Sequence, residues 1–471
     1  MTGLDDTEES RYSHSVRIWD LRPNSGKRRT TYTVRWVVAG KENQRTFASR
    51  NLAHAFRAKL LNYIQRGAAF DKATGLPAPM LREAQRRPWY QHACQYTDMK
   101  WPSAAPKSRT GIAESLATVT PALLATDRGR PPAEDIRRAL YGWAFIPPRR
   151  KSGQPPADLV STLRWLERNT IALTDLEDRT RGPELVRRAL DTLAVRLDGQ
   201  AASAKTIARK RAILYNALEY AVELGLLTDN PMGRVAWKAP KATESVDRRV
   251  VVDRRRARTL LTAVAVQPGV ASRIVAMFAL MYYAALRPSE ALDFREENIA
   301  ELPSNGWGEL LLGNSSPRTG TAWTDSGLSR ERRGLKHRAA DDTRPVPAHP
   351  ELVEILHCHL DHFGTASDGR LFVGPRGGSI GDSTYLGVWH RARAYALTPA
   401  EYRSPLARVP YDLRHAAVST WLNAGVPATQ VAEWAGHSVA VLLRVYAKCI
   451  VGQDRAARRR IEEAMTSDDD G

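Results

Sequence analysis

Near the C-terminus an arginine, two histidines and a tyrosine stand at intervals that fit one reactive site. Pro410 to Tyr446 reads PYDLRHAAVSTWLNAGVPATQVAEWAGHSVAVLLRVY. In it Arg414 precedes His415, His437 sits in a Gly-His-Ser turn, and Tyr446 follows nine positions later. A guanidinium offers a planar fork of donors to phosphate oxygens. Imidazole carries or donates protons near neutral pH, and an activated tyrosine hydroxyl is a covalent nucleophile. A phenol ordinarily titrates near about 10. To attack a phosphodiester it needs the phosphate charge neutralised and the new charge at phosphorus stabilised. Two guanidiniums meet that need. Arg414 is one, and Arg287 is the second candidate, since it leaves a strongly apolar stretch, Ile274 to Leu286, and precedes Pro288. Glu290, three residues on, can orient it. Taken alone, Arg287 and Glu290 read first as a structural ion pair at a helix end. The leaving oxygen needs a proton, and Lys336 is the lone lysine between Arg287 and Tyr446. An ammonium on a hairpin there can serve as general acid.

These residues need elements to hold them. Apolar spacing predicts helices over 257–266, 271–286, 352–363, 384–395, 412–423, 427–435 and 439–449, with a last one over 453–465. Strands are expected over 291–299, 308–312 and 344–348. Asp412 reads as a helix N-cap. His415 points about 100° away from Arg414 on a helix and reads as a residue facing the core or sheet. Upstream, residues 80–234 are nearly all helical in pattern, with helices near 80–99, 110–125, 132–145, 156–168, 182–196 and 203–224. Prolines and glycines punctuate them. The last carries Lys205, Arg209 and Lys210 in its first turns, and Gly225 ends it. A basic helix start suits phosphate or groove contact, although such charges also decorate ordinary amphipathic helices.

Residues 11–66 form a further piece. Three strands, 16–21, 32–38 and 44–48, with a turn over 39–43, precede a helical stripe of Leu52, Ala55, Phe56, Leu60 and Ile64. Thirteen Lys/Arg here face only Asp20 and Glu42. Arg28, Arg29 and Arg35 are its candidate DNA contacts, because strands enter a groove as well as helices do. Gly67 to Pro79 reads as a linker.

The chain has 471 residues, a formal net charge of +19 and 43% hydrophobic residues. That length predicts several domains, and that charge predicts a polyanionic partner, nucleic acid before membrane. Cys94, Cys358 and Cys449 are too few and too scattered for a disulfide framework or a zinc site. A reducing cytoplasm is therefore the expectation, with a polar N-terminus unlike a secretory signal and no membrane-spanning run. There is no P-loop and no carboxylate cluster suited to Mg²⁺.

In this order and spacing, Arg287 with Glu290, Lys336, Arg414 with His415, Gly436-His437 and Tyr446 resemble the tyrosine recombinases, or phage-type integrases, over residues 285–449. The N-terminal pieces resemble that family's arm-type and core-binding domains in layout. The resemblance implies a multidomain α+β chain. It would hold a small three-stranded sheet plus helix (1–67), an all-α core-binding domain (80–238), and a mainly α catalytic domain with a small antiparallel sheet (249–471). It implies that Tyr446 is the nucleophile forming a 3′-phosphotyrosine, that Arg287, Arg414 and His437 bind the phosphate with Glu290 in support, and that Lys336 is the acid. Neither cofactor nor metal is implied. The implied partners are double-stranded attachment-site DNA, three further copies of the chain in a tetramer, and an excisionase or host DNA-bending protein, in a bacterial nucleoid setting. One position departs. The family's His-x-x-Arg is here Tyr411-Asp412-Leu413-Arg414, and a phenol is a weak base near neutrality. Either Tyr411 serves only as a donor, or His437 or solvent takes the proton; His415 is a candidate substitute, but its core-facing reading is favoured, and His437 is the better candidate, as a phosphate donor near the nucleophile. A chromosome-dimer resolvase of the same chemistry, a type IB topoisomerase and a non-catalytic DNA-binding regulator remain open at this point. The C-terminal helix docks in cis or on a neighbouring subunit.

Overall fold

The computed structural model describes residues 11–25, 30–84, 86–240, 245–335, 342–450, 458–459 and 461–462. Three expectations lie outside them: the candidate contacts Arg28 and Arg29, the lysine Lys336, and most of the final helix. The chain divides into two compact units, Met1–Pro240 and Lys241–Gly471.

The first unit opens with an antiparallel sheet. Strand β1 (Val16–Ile18) and strand β2 (Arg22–Ser25) pair with opposite ends of β3 (Thr30–Val38), while β4 (Lys41–Phe47) runs along β3 from Tyr32 to Val38. The expected first strand thus ends at Ile18, and a further strand that was not expected follows it at Arg22–Ser25. The β3–β4 turn is also tighter than expected. Ala39 and Gly40 both have positive φ (47° and 85°), as a two-residue hairpin whose twist matches its strands requires. Val34, Trp36 and Val38 alternate onto the core face and pack on helix α1 (Arg50–Gln65) through Ala53, Phe56 and Leu60. Leu52 and Ala55, included in the expected stripe, are exposed. Gly67 to Pro79 is not a free linker. Phe70 and Asp71 pair with Ser13 and Tyr12, and the Trp36 indole donates to the Gly75 carbonyl at 2.5 Å.

The rest of this unit is helical: α2 (Trp89–Lys100), α3 (Pro106–Val119), α4 (Ala133–Ala139), α5 (Ala157–Asn169), α6 (Arg181–Leu193) and α7 (Ala204–Glu223). The expected helix over 80–99 is split before α2, because Pro88 is extended and cannot continue the ladder. In α7 the buried stripe is Ile207, Lys210, Leu214, Ala217, Leu218 and Ala221. Lys210 is therefore a correction. Its ammonium is buried and pairs with Glu114 Oε1 at 3.1 Å, so it is not open to a phosphate. Lys205 is exposed, and Arg209 is exposed beside Glu114.

The second unit is built on an apolar helix. Helix α8 (Arg254–Ala265) precedes α9 (Val275–Tyr283), which is buried from Ala276 to Tyr283. A helix apolar on all sides belongs inside a core. Among the described residues no helix is long and apolar enough to cross a membrane. After α9 the chain makes one short turn, α10 (Pro288–Ala291). The strand expected over 291–299 is absent: Pro288 starts a helical turn, and only β5 (Ile299–Glu301) is extended. Strands β6 (Gly308–Leu312) and β7 (Arg344–Ala348) complete an antiparallel sheet in the order β7-β6-β5. Helices α11 (Pro350–Phe363), α12 (Asp382–Ala396), α13 (Tyr411–Asn423), α14 (Ala428–Ala435) and α15 (Val439–Tyr446) follow. One core holds α8, α9, the sheet, α11 and α12, with Phe278 and Trp389 at 5.1 Å between ring centres. A second joins Ala285 to Val418, Val431, Ala435, Leu442 and Tyr446. The candidate site residues lie where these two cores meet.

Candidate active site

The site begins at the exit of α9. Ala285 has φ of 53°, a left-handed conformation that costs a residue with a Cβ about 1–2 kcal/mol. Buried Arg414, from α13, holds that turn. Its Nη1 donates to the Ala285 carbonyl, and its Nη2 donates to the Ala435 carbonyl at 2.5 Å. One guanidinium thus joins the exit of α9 to the end of α14. The turn delivers Arg287, whose side chain is 25% exposed. Its Nη1 lies 2.7 Å from Glu290 Oε1, and its Nη2 donates to the Gly436 carbonyl at 2.8 Å. Glu290 also accepts the Arg287 backbone N–H at 2.8 Å, closing the first turn of α10.

A third arginine completes the cluster. Arg344, at the head of β7, is fully buried, and its Nη2 lies 3.0 Å from Glu290 Oε2. Among the described residues, its Nε and Nη1 have no hydrogen-bond partner. Gly436 makes room for it. This residue ends α14 in the left-handed region, and a Cβ there would stand 2.4 Å from Arg344 Nη1. Only glycine satisfies both the turn and the contact.

Three guanidiniums surround one carboxylate, so the cluster carries two uncompensated positive charges. Burial alone would raise the Glu290 carboxyl. Arg344, Arg287 and Arg414 outweigh it and hold it down to about 2. Burial lowers Arg344 to about 10, with Arg414 and Arg287 adding to it. Excess charge held in low dielectric favours an incoming anion.

His437 follows Gly436, and its Nε2 lies 2.9 Å from Arg414 Nη2. A guanidinium only donates, so Nε2 must accept and the ring proton must sit on Nδ1. Among the described residues that Nδ1 is buried without a partner, a donor lacking its acceptor. Burial and the charges of Arg414, Arg287 and Arg344 push the ring down to about 3. It is a neutral donor and not a proton acceptor.

Ser438 caps α15 by accepting from Val441 N–H at 3.3 Å, and α15 carries Tyr446 into the site. Tyr446 is 1% exposed. Burial raises its hydroxyl well above the usual range, and Arg414 pulls the other way. The hydroxyl lies 2.9 Å from His415 Nδ1. His415 is therefore a correction, since it faces the tyrosine and not merely the core. The 100° offset from Arg414 is real, but Tyr446 occupies that neighbouring face. Tyr411 lies beside the Arg287 guanidinium and packs edge-on against His415, with ring centres 5.0 Å apart. Asp412 is not the N-cap. Pro410 takes that position, and Asp412 lies in the first turn, accepting Val409 N–H at 3.0 Å.

The structure brings together Arg287, Glu290, Arg414, His437, Tyr411 and Tyr446. Sequence reasoning missed Arg344. Its signal was period two: Arg344, Val346 and Ala348 share the inward face of β7, and an arginine there needs a buried acid. Of the residues before Lys336, Arg333 and Gly334 pair with Ser315 and Asn314.

No family model matches the chain. Among curated proteins, the tyrosine recombinase XerC of Mesorhizobium japonicum is 25% identical over 271 residues, spanning 56% of this chain and 73% of the relative. The tyrosine recombinase XerC of Nitrobacter winogradskyi is 24% identical over 186 residues, spanning 38% of this chain and 47% of the relative. Among solved structures, the Tn1549 transposon integrase in complex with circular intermediate DNA aligns at a TM-score of 0.44 with 16% identity. That alignment covers 67% of this chain and 96% of the integrase. The DNA-bound lambda integrase aligns at 0.37 with 13% identity, over 63% and 89%. In the order of its site residues and over the aligned stretches, the chain is similar to these tyrosine recombinases.

Proposed function

We propose that the protein is a site-specific DNA recombinase that integrates and excises a mobile element through a 3′-phosphotyrosine intermediate. The observation that carries this is the buried cluster of Arg287, Arg344 and Arg414 on the single carboxylate of Glu290, adjoining the Tyr446 hydroxyl. Arg287 and Arg414 neutralise the scissile phosphate, and His437 Nδ1–H donates to one of its oxygens. Glu290 and Arg344 fix the arginine in place. Tyr446 attacks phosphorus, and Lys336 protonates the departing 5′ oxygen. The phosphotyrosine retains the bond energy for rejoining by a partner strand. A homotetramer on paired attachment sites, helped by an excisionase or a DNA-bending protein, belongs to this reading.

The N-terminal sheet favours a mobile-element integrase over a chromosome-dimer resolvase. The surface of β3 opposite α1 is polar. Arg22, Asn24, Thr33, Arg35 and Gln44 line a depression there, and Arg35 lies over the Trp19 ring at 5.3 Å while pairing with Glu42. A basic, hydrogen-bonding sheet face suits a DNA groove. Lys205 and Arg209 are the corresponding candidates on α7.

The test is a two-site plasmid carrying DNA from the flanks of the gene, without ATP and with EDTA. Deletion or inversion products are expected. Relaxation of supercoils without a specific site would favour a topoisomerase, and binding without any strand cleavage would favour a regulator.

A further inference from the structure

The site as assigned lacks a proton acceptor for the nucleophile. Tyr446 must lose its hydroxyl proton as its oxygen bonds to phosphorus. The Tyr411 hydroxyl is engaged by the Arg287 guanidinium. The arginines only donate. His437 is excluded by geometry, because its Nε2 lone pair is engaged by Arg414 Nη2 and its other nitrogen carries the proton. Glu290 is enclosed by Arg287 and Arg344.

Among the described residues, one group remains in contact with the reacting oxygen. From the 2.9 Å contact between His415 Nδ1 and the Tyr446 hydroxyl, we propose that His415 is the general base for DNA cleavage. This rests on the recombinase reading and deepens it. The Tyr446 O–H bond breaks and its proton passes to Nδ1. The tyrosine oxygen bonds to phosphorus, and the bond from phosphorus to the 5′ oxygen breaks. That oxygen takes its proton from the general acid, assigned to Lys336. In rejoining, each proton returns by the same route.

The surroundings of His415 allow the role. Tyr411 and Arg414 lie on its own helix, and Tyr446 faces it from α15. His437, Arg287 and Cys449 lie around that tyrosine. Burial, and then Arg414, lower the ring to about 4 in the absence of DNA, so Nδ1 is free of a proton at neutral pH. A bound phosphate, gaining negative charge during attack, offsets Arg414 and makes the imidazolium easier to form. Positioned general bases contribute about 10²–10⁴-fold.

The experiment is single-turnover formation of the covalent adduct on a nicked suicide duplex, from pH 4 to 9. Wild type, His415→Asn and His415→Ala are compared, with DNA binding measured for each. Asparagine places an amide oxygen near Nδ1 that accepts the hydroxyl bond but cannot take the proton. Both variants should bind DNA normally and form adduct about 10²–10⁴-fold more slowly. They should lose the acid limb of the wild-type pH profile, and imidazole in the buffer should partly rescue His415→Ala. A 5′-bridging phosphorothiolate, whose leaving group needs no acid, should leave the defect in place. Near-wild-type rates for His415→Asn, or an acid limb kept in both variants, would reduce His415 to a positioning residue and overturn the proposal. Absence of any adduct with wild type would instead overturn the recombinase reading.

Discussion

Glu290 divides its carboxylate between two arginines: Oε1 lies 2.7 Å from Arg287 Nη1 and Oε2 lies 3.0 Å from Arg344 Nη2. One arginine is partly open and aimed into the site, and the other is sealed inside. Without Arg344, Glu290 keeps Arg287 as its partner, and the repulsion among the guanidiniums falls, so no uncompensated carboxylate is left. Arg344→Gln should therefore lower thermal stability only modestly and reduce adduct formation by freeing Oε2 of Glu290, although Arg344 touches no substrate. Thermal melting read by circular dichroism checks it. An unchanged midpoint with full activity would show that Arg344 does not support the site.

Gly436 sits between two of these arginines. Its carbonyl accepts from Arg287, and its missing Cβ leaves room for Arg344 Nη1. Gly436→Ala adds the left-handed penalty of about 1–2 kcal/mol to a clash at 2.4 Å. Adduct formation should fall at least tenfold, with much weaker loss of DNA affinity. Gel-shift titration beside the cleavage assay separates the two.

The buried histidines set the acid side of the stability profile. His415 and His437 are pushed down to about 4 and about 3, below an unfolded value near 6.5. The unfolded chain then binds more protons below that value, so stability is fully present above about pH 6.5 and is lost as pH falls towards 4. Glu290, held down to about 2, acts in the same direction below about 4.5. Asp412 opposes them. Burial raises it to about 6, so its contribution is present at low pH and lost as pH rises through 6. The midpoint should drop between pH 7 and pH 4, and His415→Asn should flatten that slope. A midpoint independent of pH in wild type would contradict the buried, neutral state of both rings.

Much of this was legible in the sequence because the signals were local. The apolar run before Arg287 had to be a buried helix, and the His437 turn had to end one. The glycine after Ala435 and the serine before Val439 are ordinary stop and start residues. What escaped was tertiary. Arg344 looked like a strand residue until β7 placed it against Glu290, 54 positions away in the chain. His415 was judged by its angle from Arg414, yet its role depends on α15, whose packing no spacing within α13 reveals. Lys210 showed the converse: a lysine in a basic run faced inward because its position fell on the buried stripe of α7.

Lys336 is assigned on sequence alone, and its chemistry is separable from that of the nucleophile. Lys336→Ala should slow cleavage of an ordinary phosphodiester by about 10²–10⁴-fold. A substrate with a 5′-bridging sulfur should restore the rate, because a thiolate leaves without a proton. Failure of that rescue, with binding intact, would remove Lys336 from the acid role.

On the recombinase reading, Tyr446 becomes covalently joined to DNA. The direct measurement is adduct formation on a nicked suicide duplex, with peptide mapping of the modified residue. Wild type should give a shifted protein–DNA species carrying its 3′-phosphate on Tyr446. Tyr446→Phe should bind the same duplex with similar affinity and give none. An adduct formed by Tyr446→Phe, or mapped to another residue, would contradict the account.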